Sequence, residues 1–426
     1  MEANIFHIVS SASIFLITYA FIIWDKFNRT VVALVGGALM LVFGILTPEI
    51  ALKEIDYNTL GLLIGMMAIV AITKISGVFE YLAIKIVKIA KGEPIRLIIL
   101  FSIITGILSA FLDNVTTILL ILPITLSVAK DLDIDPIPFV ICEIFSSNVG
   151  GTATLIGDPP NIMIGSLVGF SYLDFIKNNA LISIFLLFIT TYLLALIYKK
   201  KLVSTSDLKA KVMRMNENGF IKDRVLLFKS LSVLFLTLLA FMFHGVLHIE
   251  SSLIAVIGAL VLILISKINI KNVFLEIEWK TIFFFVGLFI MVGGIKEAGI
   301  LDMLAVEVLN ITQGNIVYIT IAILWVSAIA SAFIDNIPFV ATMIPLIKHL
   351  GVISGMNLTP IWWALSLGAC LGGNGTIVGA SANVIAIGIS EEKGHKITFR
   401  RYFKIAFPLM IFTIIICTIY LYIFYL

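Results

Sequence analysis

One offset organises this chain. SAFLDNV at 109–115 returns as SAFIDNI at 331–337, and the same gap-free shift of 222 places Pro123 on Pro345 and GGTATLIGDPPN (150–161) on GGNGTIVGASAN (372–383). Upstream it pairs Gly36 with Gly258, Thr59 with Thr281, Gly65 with Gly287, Lys74 with Lys296 and Gly77 with Gly299. A constant shift held over so much chain marks a tandem duplication. Whatever the first half folds into, the second half must fold into as well, and the two must pack together.

The matched strings are foreign to their surroundings. Gly and Pro break a helical hydrogen-bond ladder, and a lone carboxylate is costly to desolvate. Yet these strings interrupt a chain that is 60% hydrophobic and 13% charged, with mean hydropathy +1.13. Soluble domains carry about a quarter charged residues, so this balance predicts an all-α polytopic membrane protein. No soluble domain fits between the apolar runs. The longest polar segment, 199–226, reads as a cytoplasmic linker between copies at 1–198 and 227–426. The net charge of +3 is carried by loop residues, which points to orientation in a lipid bilayer and to no nucleic-acid partner. Lys199 to Lys201 read as a topology signal. Cys142, Cys370 and Cys417 lie far apart in apolar runs and form no disulfide or CxxC pattern. The N-terminal run lacks a basic start and reads as a retained first span.

In the first copy, crossings are expected at about 7–25, 31–47, 58–77, 137–168 (broken) and 179–198. Segment 95–128 is too long for one crossing and too short for two, so it predicts a re-entrant hairpin. Lysines at helical spacing in 78–92 predict an interfacial amphipathic helix. The second copy repeats this with a hairpin at 315–348 and a broken span at 360–390. About five crossings per copy is an odd number, so the second copy enters inverted. With both termini outside a plasma membrane, only Lys53, Lys177, Lys296 and Lys348 of the 29 Lys and Arg fall outside, as the positive-inside rule requires.

Inverted repeats with interrupted helices are a recurrent plan of secondary transporters, and irregular backbone at that depth is tolerated only beside protein or a cavity. Asp113 and Asp335 sit at the two hairpin tips, followed by Asn114 and Asn336. A mid-membrane acid is a functional candidate by default. These two suit Na⁺ or a proton, the bland alternative being that each caps its own half-helix. No other metal or cofactor is implied. Gly150, Gly151, Gly157, Gly372, Gly373 and Gly379 read as architectural, permitting the unwound turn and close backbone approach. Asn148, Thr154, Asn161, Thr376 and Asn383 are candidates to line the site or to satisfy the broken backbone. Positions that differ between copies bear on an asymmetric substrate: Asp158-Pro159 against Ala380-Ser381, Thr152 against Asn374, Thr116-Thr117 against Pro338-Phe339. Asp158 is foremost among them. Neither broken segment nor hairpin tip contains Arg or Lys, so a neutral solute or a cation fits more easily than a dianion. His244 and His248, with Glu250 nearby, have the spacing of a metal pair, although interfacial histidine is the commoner reading. His349 and His395 read as loop residues without a partner. An intramembrane aspartyl protease and a channel are the rival classes, and the duplicated Asp-Asn tips argue for a carrier over both.

NVGGTATLIGDPPNIMI and SAFLDNVTT resemble signatures of the arsenite/antimonite efflux permeases (ArsB-type) and the melanosomal P protein. More widely, they resemble the ion-transporter superfamily that includes NhaD-type Na⁺/H⁺ antiporters, citrate carriers and divalent-anion/Na⁺ symporters. The resemblance implies an elevator-type carrier of a small inorganic or organic ion, coupled to H⁺ or Na⁺, with a scaffold that forms homodimers. The divalent-anion symporters carry Ser-Asn-Thr at each tip. This chain has Asp113-Asn114-Val115 and Asp335-Asn336-Ile337 there, which favours the permease and antiporter branches.

Overall fold

The computed structural model describes residues 5–24, 26–199, 202, 217–247 and 249–426. Ten helical segments make up the first copy: α1 (Ile5–Trp24), α2 (Arg29–Val42), α3 (Pro48–Glu54), α4 (Tyr57–Ile75), α5 (Val78–Ile89), α6 (Pro94–Phe111), α7 (Asn114–Asp131), α8 (Ile137–Gly151), α9 (Pro159–Val168) and α10 (Tyr172–Tyr198). Ten more follow: α11 (Arg224–Leu247), α12 (Ser251–Ser266), α13 (Ile270–Glu276), α14 (Trp279–Glu297), α15 (Ile300–Thr312), α16 (Ile316–Phe333), α17 (Asn336–Ser354), α18 (Thr359–Gly372), α19 (Ser381–Glu392) and α20 (Phe399–Phe424). The boundaries recur at the sequence offset: 57 and 75 become 279 and 297, and 94 and 111 become 316 and 333. Among the described residues, ten helices, including both helices of each hairpin, are long and apolar enough to cross a membrane.

Local chemistry sets these starts. Asn28, Asp56, Asp113, Asn315 and Thr398 each accept a bond from the first turn of the helix that follows, and Pro opens α3, α6, α8, α9 and α18, where its missing N–H costs nothing. Gly77 (φ 82°) and Gly299 (φ 76°) make the left-handed turns after α4 and α14. Three expectations change. The second crossing ends at Val42, because Thr47 caps a separate helix with Pro48 at its first position. The last crossing of the first copy begins at Tyr172, started by a Ser171–Asp174 capping box and carried through a π turn at Ile176–Ala180. The helix at 78–89 buries Val78, Phe79, Ala83, Ile84, Ile86 and Val87 instead of lying free at the interface. Of the linker expected at 199–226, residues 200, 201 and 203–216 lie outside the described residues.

The two copies clasp each other reciprocally. A Cβ on Gly65 of α4 would meet Ala255 of α12 at 2.6 Å, and one on Gly287 of α14 would meet Ala33 of α2 at 2.5 Å. Lys74 pairs with Glu276 at 2.7 Å, and Lys296 with Glu54 at 2.7 Å. Each of these contacts is the other shifted by 222, the self-complementary pattern of a two-fold axis. Lys74 and Lys296 close α4 and α14, while Glu54 and Glu276 precede them, so the two helices run antiparallel.

Candidate transport site

The breaks lie between α8 and α9 and between α18 and α19, and hairpin backbone packs directly against them. A Cβ on Gly150 would stand 2.0 Å from the Gly106 carbonyl oxygen, and one on Gly372 2.5 Å from that of Ala328. Gly157 and Gly379 approach the Ser109 and Ser331 carbonyls at 2.6 and 2.8 Å in the same way. None of the six break glycines has positive φ. Closeness of approach, not left-handed backbone, excludes a side chain.

Side-chain amides gather the freed carbonyls. Asn161 Nδ2 donates to the Thr154 and Thr152 oxygens at 2.9 and 3.2 Å. Asn383 Nδ2 donates to those of Thr376 and Gly373 at 2.9 and 2.7 Å. The Thr154 and Thr376 hydroxyls donate to the Ala110 and Ala332 carbonyls in the adjoining hairpins, and Thr152 donates to Asn148 O at 2.7 Å. These donors are engaged with backbone carbonyls, and their residues line none of the cavities described below.

A second set joins the copies. Asn148 Nδ2 donates to Asn374 Oδ1 at 3.0 Å and Asn383 Oδ1 at 2.9 Å, while its own oxygen accepts from Asn114 at 3.1 Å. Asn336 donates to both oxygens of Asp158 at 3.2 and 3.3 Å. Asn179 donates to Ser366 at 2.7 Å, and Ser366 to Asn161 Oδ1 at 2.6 Å. Sequence reasoning missed these last two partners. Asn179 sat at an assumed span end, and Ser366 in an apolar run with no local signal.

Asp113, Asn114, Asp158, Glu278, Thr281, Asn336 and Ser381 line a cavity of ≈ 20 Å³, about the space one water needs. Asp113 caps α7, accepting from Thr116 N at 2.8 Å and from the Thr116 hydroxyl. Asp158 stands ahead of α9 and makes no capping bond. Asp335 caps α17 through Ile337 N at 3.1 Å and also accepts from Ser381 Oγ at 2.7 Å and Arg29 Nη1 at 3.2 Å. Arg29 brings a guanidinium to a tip whose own segment holds no basic residue. Glu278, just ahead of α14, was also missed. Burial, aided by the Asp113 charge, pushes its carboxyl up to about 7.

Two larger cavities, or vestibules, open in the protein. One, ≈ 800 Å³, is lined by Glu54, Asp56, Asn58, Ser166, Glu250 and Lys296. The other, ≈ 680 Å³, is lined by Asn28, Arg29, Glu278, Lys280, Thr281 and Ser381. Asp56-Tyr57-Asn58 in the first and Glu278-Trp279-Lys280 in the second occupy equivalent positions. The cavity shares Glu278, Thr281 and Ser381 with the second vestibule.

His244 lines the first vestibule. His244 Nε2 accepts from Tyr172 N at 3.3 Å, and His248 lies outside the described residues. Among those residues, no group of three His, Cys, Asp or Glu is placed to hold a metal. His349 is not a loop residue: it lies within α17, and its Nε2 meets Asp302 of α15 at 2.8 Å.

A family profile described as citrate transporter (CitMHS) matches residues 19–368. The chain belongs to the citrate transporter family. This family member is 41% identical over 424 residues to an uncharacterised transporter of Mycobacterium bovis, covering 98% of both chains. It is 31% identical to the P protein of Sus scrofa, a match covering 99% of this chain and 60% of that protein. Its fold resembles the YdaH transporter of Alcanivorax borkumensis, with a TM-score of 0.59 at 14% identity, over 87% of this chain and 86% of that one. Citrate-transporter-family membership, the relatives' names and the apolar helices identify a multi-pass membrane transporter.

Proposed function

We propose that this protein is an ion-coupled secondary carrier of a small anion, with its two copies inverted in the membrane. Hairpins α6–α7 and α16–α17, with the broken helices, slide as an elevator past a scaffold built on α2, α4, α12 and α14. The antiparallel run of α4 and α14 supports the inversion. Equivalent vestibules, one of them joined to the cavity, support alternating access over a channel.

The observation that carries the anion is the setting of Asp335. Its carboxylate accepts from a guanidinium and a hydroxyl beside the N-terminus of α19, where helix dipoles favour negative charge. That is the setting a substrate anion needs, filled by an internal one. Displacing the Asp335 carboxylate frees Arg29 and Ser381 for the incoming anion. Asn114, Asp158, Asn336 and the cavity face of Asp113 complete the site. Thr116, Asn148, Thr152, Thr154, Asn161, Asn374, Thr376 and Asn383 hold its shape. The family's description favours an organic anion, and the permease resemblance keeps an arsenite-like solute in the panel. The protein works as a plasma-membrane homodimer with both termini outside.

A Na⁺/H⁺ antiporter is the second reading, favoured by Asp113, Asp158 and Glu278 on one cavity. Proteoliposomes with an internal pH dye separate the two. Citrate, succinate or arsenite should move protons, and Arg29→Gln should abolish the response. A response to Na⁺ or Li⁺ alone would install the antiporter. Cysteines placed at Lys177 and Lys348 should label from outside, and labelling from the cytoplasm would refute the inversion.

A further inference from the structure

Glu143 belongs to none of the machinery above. It lies on α8, fully buried. Thr125 of hairpin helix α7 donates to its Oε1 at 2.6 Å, and its Oε2 has no hydrogen-bond partner. A buried carboxyl costs several kcal/mol unless neutralised or fully bonded, so such a group persists only where something requires it.

The duplication shows that the fold does not. At the equivalent positions the second copy has Leu365 and Ile347, both buried, in helices that start at the same offset. Ser146, one turn along α8, and Ser102 on the packed helix α6 also carry buried hydroxyls without partners, and the second copy has Gly368 and Leu324 there. A buried carboxyl and the hydroxyl that bonds it therefore stand in one copy at positions that carry Leu365 and Ile347 in the other.

We infer that Glu143 is a second ion site of the carrier, one that takes up and releases a proton inside the first hairpin and broken helix, apart from the central cavity. The geometry selects a proton over Na⁺: one hydroxyl and one carboxylate fall short of the five or six oxygens that a hard cation requires. Other ionisable groups near α8 include its neighbour Cys142, Asp135 just ahead of it with its partner Arg401 of α20, Asp113 ahead of α7 and Lys130 at its end, Tyr198 on α10, Cys370 on α18 and Tyr402 on α20. Helices α6 and α19 bring only the exposed Arg96, Glu391 and Glu392. None of them hydrogen-bonds Glu143; Thr125 holds it while it is buried, and the proton is drawn from and returned to water when the first hairpin and broken helix expose it.

The proton's use in coupling rests on the carrier reading above, but its presence can be tested without any substrate. Infrared difference spectra between acid and alkaline pH are recorded on the full-length protein in lipid. A carboxylic C=O band that titrates is expected in the wild type. One component of that band should be lost in Glu143→Gln and in Thr125→Ile/Glu143→Leu, which installs the second copy's pair, while the component from Glu278 remains. Both variants should melt within a few degrees of the wild type. A titrating band undiminished by Glu143→Gln, or none in the wild type, would overturn the site. Failure of the double variant to fold would assign Glu143 to structure instead.

Discussion

Asn336, at one hairpin tip, donates its amide to both oxygens of Asp158 at 3.2 and 3.3 Å, across the boundary between the two copies. Asp158 is fully buried, and its counterpart Ala380 carries no polar group. The bond has no symmetric twin. It makes the centre of a duplicated protein asymmetric, as one substrate in one site requires.

Replacing this carboxylate separates packing from charge. Asp158→Ala leaves a buried amide without an acceptor and should cost about 1–3 kcal/mol, read as a lowered melting temperature. Asp158→Asn keeps an acceptor oxygen and should melt near the wild type while losing transport. Full transport by Asp158→Asn would remove the charge from the mechanism.

The Arg29–Asp335 pair should behave as a buried ion pair. The Asp335 side chain is only 3% exposed, so Arg29→Ala strands its charge and should cost about 3–5 kcal/mol. Adding Asp335→Asn to Arg29→Ala should recover much of that loss in a double-mutant cycle.

Glycine tolerance should follow backbone distance. Gly150→Ala drives a methyl to 2.0 Å from the Gly106 oxygen, and overpacking of this kind costs about 1–3 kcal/mol or more. A methyl added at Gly388, inside α19, would meet nothing within 4 Å, so Gly388→Ala should stabilise by about 0.5–1 kcal/mol. Equal yields of folded protein from the two variants would contradict the close hairpin contact.

Glu278 should impose a pH dependence on stability. Its folded carboxyl sits at about 7 against an ordinary 4.5, so the folded state binds the proton more tightly than the unfolded one. That stabilisation is complete below about 4.5 and is lost as pH rises through about 7. Glu278→Gln should flatten the melting temperature across this window. An unchanged profile would show that Glu278 does not titrate there.

The sequence by itself marked the duplicated strings, the two breaks, and the acids that separate α6 from α7 and α16 from α17. Each is a local pattern: a string repeated at one offset, an apolar run of definite length, or Gly and Pro where helices should continue. It also marked Asp158 through the mismatch between copies. It did not say which polar groups remain available. Thr154, Thr376 and the Asn161 and Asn383 amides look like ligands in the string, but tertiary packing turns them onto backbone carbonyls. Nor did it bring Arg29 to Asp335, 306 residues away, or Glu278 to Asp113. Those meetings depend on how two copies clasp about their axis, and a helix end carries no local mark of the distant segment it will face.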